Sequence, residues 1–167
     1  MTAVGVTLND NDLAACDTWA DLRTEHWQVA SRETNYDENL YGCKGELALA
    51  KALKVDYEGF DKLCEVDRQG DVSDYQVKST LHNDGHLIFQ QQHRMGKKTV
   101  LAIVNANTVR LAGWLHFDTA KTIVASGTGR KKWRNEQHET MTWWLPQHAL
   151  EGMEWLPIVY GPEVVKL

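Results

Sequence analysis

The sequence predicts an α/β fold, a sandwich in which a mixed central sheet of about five strands carries helices from the N-terminal third on one side. Three observations predict it. The first fifty or so residues carry the spacing of amphipathic helices. Tyr75-Gln76-Val77-Lys78-Ser79 alternates with a period of two, and Thr99 to Val104 is a near-continuous apolar run of the kind buried on both faces of a sheet. A chain of 167 residues, 43% apolar and 25% charged, suits a single domain over 1–167 with its own core.

Taken in order, Asn9 to Asp12 offers capping side chains ahead of Leu13, Cys16, Ala20 and Trp27, which predicts a helix over about 10–32. A polar break at Glu33 to Asp37 separates it from a second helix over about 38–54, where Gly42, Cys43 and Gly45 let neighbouring backbone approach closely. Leu63 to Val66 reads as a short strand, Asp67 to Gly70 as a break, and Ser73-Asp74 as a turn before the alternating strand at Tyr75. His82-Asn83-Asp84-Gly85-His86 has the chemistry of a hairpin turn, leading to a strand over His86 to Gln90. The Thr99–Val104 strand turns at Asn105-Ala106-Asn107 into a strand over Val109 to Trp114, followed by a short helix from Asp118 to Ala125. Adjacent Trp143 and Trp144 would face opposite sides of a strand, which puts at least one in the core.

Bulk properties narrow the function. The net charge of −5 gives no global positive field, so contact with a polyanion has to be local. Cys16, Cys43 and Cys64 lie far apart with no C-x-x-C pair, which argues for reduced buried thiols rather than a disulfide framework or cysteine zinc site. No secretory leader and no run of ~18 apolar residues is present, so a cytoplasmic protein with no membrane partner is expected. A homo-oligomer is compatible with the sequence.

Chemistry concentrates between Glu46 and Lys78. Glu46, Leu49, Ala50 and Leu53 share one helix face, and a carboxylate beside two leucines is costly unless a cation or hydrogen-bond donor meets it. A metal ion would do so; a place at the rim, or a lysine such as Lys78, is the structural alternative. On the strand, Gln76 and Lys78 share the polar face, close to Asp71. Phosphodiester hydrolysis asks for this inventory, because Mg²⁺ takes a few protein oxygens and keeps waters, and a lysine offsets charge growing on phosphate. Lys78 alone would otherwise read as a solvated strand lysine.

Glu46, Asp71 and Gln76-Val77-Lys78 together resemble the PD-(D/E)xK nuclease superfamily in its Q-x-K variant, and the chain is similar to small phage and prophage members in Gly113-Trp114-Leu115 and Trp144-Leu145-Pro146-Gln147. The resemblance implies a restriction-endonuclease-like three-layer sandwich and Mg²⁺-dependent hydrolysis of nucleic acid, DNA ahead of RNA, with Mn²⁺ able to substitute. It implies that Glu46, Asp71, the Gln76 side chain and the Val77 carbonyl hold the metal, and that Lys78 is the catalytic lysine. Two departures stand out. Asp67 or Asp74 compete for the aspartate role, and Gln76 replaces a carboxylate, which leaves room for a nuclease-fold module that binds nucleic acid or protein without cutting.

Gly127 to Arg134 is the most basic stretch, with Arg130, Lys131, Lys132 and Arg134 around Trp133. It reads as a phosphate-binding loop with a stacking indole or, equally, as a solvated surface loop. Arg94, Lys97 and Lys98 form a smaller basic turn. His82 and His86 are four apart, but a turn containing Gly85 is not the helix that a histidine zinc pair needs.

Overall fold

A computed structural model of the chain describes residues 2–29, 35–57, 59, 71–90, 97–133, 141–160 and 163–166, of which 27–29, 133 and those from 157 onward are described by backbone alone. Helix α1 spans Asp10–Val29 and opens with reciprocal caps: Asn9 Oδ1 accepts the Asp12 N–H and Asp12 Oδ2 accepts the Asn9 N–H, each at 2.9 Å. Helix α2, Tyr36–Leu53, starts two residues earlier than its spacing suggests because Asn35 caps it, accepting the Glu38 N–H at 2.8 Å. It ends where Lys54 takes a left-handed φ of 55° and returns its N–H to the Ala50 and Lys51 carbonyls.

The strands are β1 (Val4–Thr7), β2 (Tyr75–Thr80), β3 (Leu87–Gln90), β4 (Lys98–Asn105), β5 (Thr108–His116), β6 (Arg130–Trp133), β7 (Met141–Leu145), β8 (Pro157–Tyr160) and β9 (Glu163–Lys166); helix α3 (Phe117–Ala125) follows β5. One sheet has the order β1-β5-β4-β2, with β2 parallel to β4 and the other pairs antiparallel. A second sheet has the order β3-β7-β6, all antiparallel, and β8 pairs with β9. Among the described residues, the architecture is thus not one central sheet of about five strands. It is a mixed four-stranded sheet beside a separate three-stranded one.

The apolar run of β4 dictates the layers. Val100, Ala102 and Val104 pack with Leu49 and Leu53 of α2 and with Tyr75 and Val77 of β2, whereas Leu101 and Ile103 pack with Leu87 and Phe89 of β3, Phe117 of α3 and Leu145 of β7. Every residue from Thr99 to Val104 is buried, as a strand covered on both sides must be. The α1–α2 pair thus covers one face of the four-stranded sheet, and the three-stranded sheet with α3 covers the other.

Three local expectations change. The turn at 82–86 closes with the Gly85 N–H on the His82 carbonyl at 2.9 Å, but it carries the chain from one sheet to the other rather than joining a hairpin, because β3 pairs with β7 in the second sheet. The basic stretch is strand β6 from Arg130, not a loop, because β7 supplies an antiparallel partner. Strand β1 has no long apolar run to announce it and forms as an edge on β5. The expected strand at Leu63 to Val66, together with Asp67, Cys64 and Arg94, lies outside the described residues.

Candidate functional site

All four members of the α2 stripe, Glu46, Leu49, Ala50 and Leu53, are buried. What meets the Glu46 carboxylate is not Lys78. It is Arg23 of α1, in a two-pronged pair: Nη1 donates to Oε1 at 2.9 Å and Nη2 to Oε2 at 2.5 Å. Tyr57 completes the cluster, accepting from Arg23 Nη2 at 2.8 Å and donating its hydroxyl to Glu46 Oε2. Burial alone would lower the pKa of Arg23, but the bond to Glu46 and its charge outweigh that and raise it; burial and then the Glu46 charge push Tyr57 up. The sequence did carry a signal for this arginine, since Cys16, Ala20 and Arg23 share the buried face of α1 at i, i+4 and i+7.

Close by, the Cys16 and Cys43 thiols are buried and unpaired, and burial pushes each up to about 12, as reduced core cysteines require.

The Asp71 end of the site is built by a tight turn. Val72 and Tyr75 exchange backbone hydrogen bonds at 3.1 and 3.0 Å around Ser73, whose φ is 52°. This brings Asp71 Oδ2 onto the Val77 N–H at 2.8 Å. Asp71 is exposed as a residue, yet desolvation of its carboxyl end is the leading cause that pushes its pKa up to about 6, with the Glu46 charge next. The Val77 bond and the charges of Lys78 and Arg23 pull the other way. Glu46, Lys78 and Arg23 are thus each within electrostatic reach of Asp71. Asp74, the other aspartate of this turn, is exposed.

Strand β2 alternates as its sequence indicates: Tyr75 and Val77 join the core under α2. The Gln76 amide oxygen is buried without a hydrogen-bond partner. An orphaned buried oxygen and a carboxylate are both oxygen donors of the kind a hard cation takes, so Gln76 and Asp71 fit Mg²⁺ in donor type. Glu46 fits less well, since both of its oxygens are already bonded. Among the described residues, no group of three or more His, Cys, Asp or Glu side chains is arranged to hold a metal ion.

Lys78 opens on the other side, into a cavity of about 820 Å³ between the two sheets. Arg130, Lys132, His82, His86 and Trp144 line it as well, with Asp84 as an acid on its wall. Antiparallel pairing of β6 with β7 sets Arg130 opposite Trp144 and Lys131 opposite Trp143. Arg130 and Lys132 each lie 5.0 Å from the Trp144 ring, whereas Lys131 lies 5.8 Å from Trp143. Strand alternation therefore divides the basic stretch, with Arg130 and Lys132 at the cavity and Lys131 on the other face. Trp143 packs against Phe117 at 5.4 Å, so the adjacent tryptophans do face opposite sides. Trp133 is described by backbone alone, and Arg134 lies outside the described residues. Of the smaller basic turn, Lys98 heads β4 with its ammonium 5.2 Å from the Tyr75 ring.

No helix among the described residues is long and apolar enough to cross a membrane. No family model, curated protein or solved structure matches the chain. The class in hand is thus an α/β protein with a buried acid–arginine cluster and a cationic cavity on opposite sides of one strand.

Proposed function

We propose that the protein is a divalent-metal-dependent nuclease that hydrolyses phosphodiester bonds of DNA on a restriction-endonuclease-like version of the α/β fold. The observation that carries this reading is the double position of Lys78: its charge acts on the Asp71 carboxylate, and its side chain lines a cavity with Arg130 and Lys132. A lysine between a metal-competent acid and a cationic cavity can serve a phosphate bound between them.

In this reading Asp71, the Gln76 amide oxygen and the Val77 carbonyl hold Mg²⁺, or Mn²⁺ in its place. When bound, the ion polarises the phosphoryl group and acidifies water. Lys78 orients the attacking water and offsets charge on the phosphate, while Arg130 and Lys132 anchor neighbouring phosphates. Glu46 acts as a fixed charge behind Asp71, held by Arg23 and Tyr57. Plasmid, linear duplex, single strands and branched junctions incubated with Mg²⁺ or Mn²⁺ test it. Cleavage should fall at least ~100-fold in Lys78→Ala, the scale on which a group acting on transition-state charge is felt. Undiminished cutting by that variant would remove the mechanism.

The engaged Glu46 oxygens favour a second reading, a nuclease-fold module that binds nucleic acid or protein and does not cut. Calorimetry separates the two: Mn²⁺ binding that weakens in Asp71→Ala supports the nuclease, and no heat with or without DNA supports the module.

A further inference from the structure

We infer that the cavity beside Lys78 admits nucleic acid as a single strand, one or two nucleotides deep, and excludes an intact duplex. This rests on the nucleic-acid part of the proposed function and goes beyond it in naming the form of the substrate.

Size is the first ground. A compact space of 820 Å³ is about 12 Å across, no wider than the major groove of B-form DNA alone, so a whole duplex with both grooves and both backbones exceeds it. A duplex meets only the mouth of such a cavity. A single strand, thinner and free to rotate its bases, enters it.

The wall chemistry is the second ground. Single-strand sites combine cations that follow the phosphates with aromatic rings that take the bases. Here Lys78, Arg130 and Lys132 converge on the cavity, and Trp144 is half-buried at its wall with the His86 ring 6.3 Å away. The Trp144 Nε1–H is already satisfied by Thr142 Oγ1 at 2.9 Å, which fixes the indole in place. Arg130 and Lys132 now rest on that ring, and an incoming phosphate would draw them off it and leave the indole face to a base. The turn at 82–86 closes the far side, where the Gln147 amide donates to the Asn83 and Gly85 carbonyls at 2.7 and 3.2 Å.

The test is binding, measured by fluorescence anisotropy in the presence of a chelator so that neither metal nor cleavage enters. A thymidine oligomer of about eight nucleotides should bind at least 10-fold more tightly than a blunt duplex of equal charge, and a duplex with a single-stranded overhang should bind like the oligomer. The double variant Arg130→Gln/Lys132→Gln, at two exposed positions, should weaken oligomer binding about 10-fold and reduce the slope of log K against log salt by about 1.4, near 0.7 for each charge removed. Trp144→Leu should weaken it on a similar scale; should that variant not fold, the cation pair still decides. Equal affinity for blunt duplex and single strand would overturn the inference and leave the nuclease reading standing. Cleavage without chelator, accompanied by unchanged oligomer binding in the double variant, would do the same. Binding of neither form would overturn the inference, and no cleavage with Mg²⁺ or Mn²⁺ besides would overturn both.

Discussion

Strand β2 separates two polar regions built on opposite principles. On the α2 side, the charges of Arg23 and Glu46 are buried and paired, and Tyr57 bonds to both. On the other side, the charges of Arg130 and Lys132 are exposed, of one sign and rest on an aromatic ring. The first arrangement spends its electrostatics on holding two helices together. The second pairs neither cation with a carboxylate among the described residues, although Asp84 lies on the same cavity wall, and it suits an anion from outside. The residue types are similar on both sides; what differs is whether an opposite charge has been built in.

The sharpest way to break this contrast is to remove the arginine. Arg23→Met leaves the buried Glu46 carboxylate with Tyr57 alone, and the loss expected in urea unfolding is about 3–5 kcal/mol. Adding Glu46→Leu should recover most of that loss, because a buried pair replaced by apolar groups of similar volume is near neutral. A single variant that loses less than ~1 kcal/mol would show that the cluster is solvated and that the two regions are alike.

The close seating of α2 on β2 gives the next largest effect. A Cβ on Gly45 would come 2.1 Å from Ser79 Oγ and 3.2 Å from Val77 Cγ1. Gly45→Ala should therefore cost about 1–3 kcal/mol despite the helix preference of alanine, worth ~1 kcal/mol in the other direction. Ser79 Oγ is buried without a partner, so Ser79→Ala removes the nearest obstacle at little cost. The two substitutions should couple by more than ~0.5 kcal/mol in a double-mutant cycle. Strict additivity would mean that the helix shifts instead of clashing.

The sequence foretells most of the helical face and little of the cavity, for a physical reason. Periodicity is local, so the α2 stripe, the β2 alternation and the doubly buried β4 are all readable from a few neighbouring residues. The cavity is assembled by pairing between distant segments, Lys78 on β2 with Arg130 and Lys132 on β6, and β6 is a four-residue polar strand that forms only against β7. Arg23 shows the same limit from the other side. Its stripe position marks it as buried, but its partner lies 23 residues on, in another helix.

Between the two regions lies Asp71, which gives the smallest effect and the one with a pH signature. Its carboxyl is pushed up to about 6 in the folded chain from an ordinary 3.8. The folded state therefore holds a proton that the unfolded chain gives up between about pH 4 and 6, so stability falls as pH rises through that window and the penalty stays in full above it. Asp71→Asn keeps an amide oxygen for the Val77 N–H while removing the charge. It should be more stable than the natural chain by about 1 kcal/mol at pH 7, a figure discounted for the exposure of this residue, and indistinguishable from it below about pH 4. Thermal unfolding across that range measures the difference. A gap that stays constant with pH would mean that Asp71 titrates as in water, outside the reach of Glu46, and that the buried cluster and the acid beside Lys78 are electrically separate.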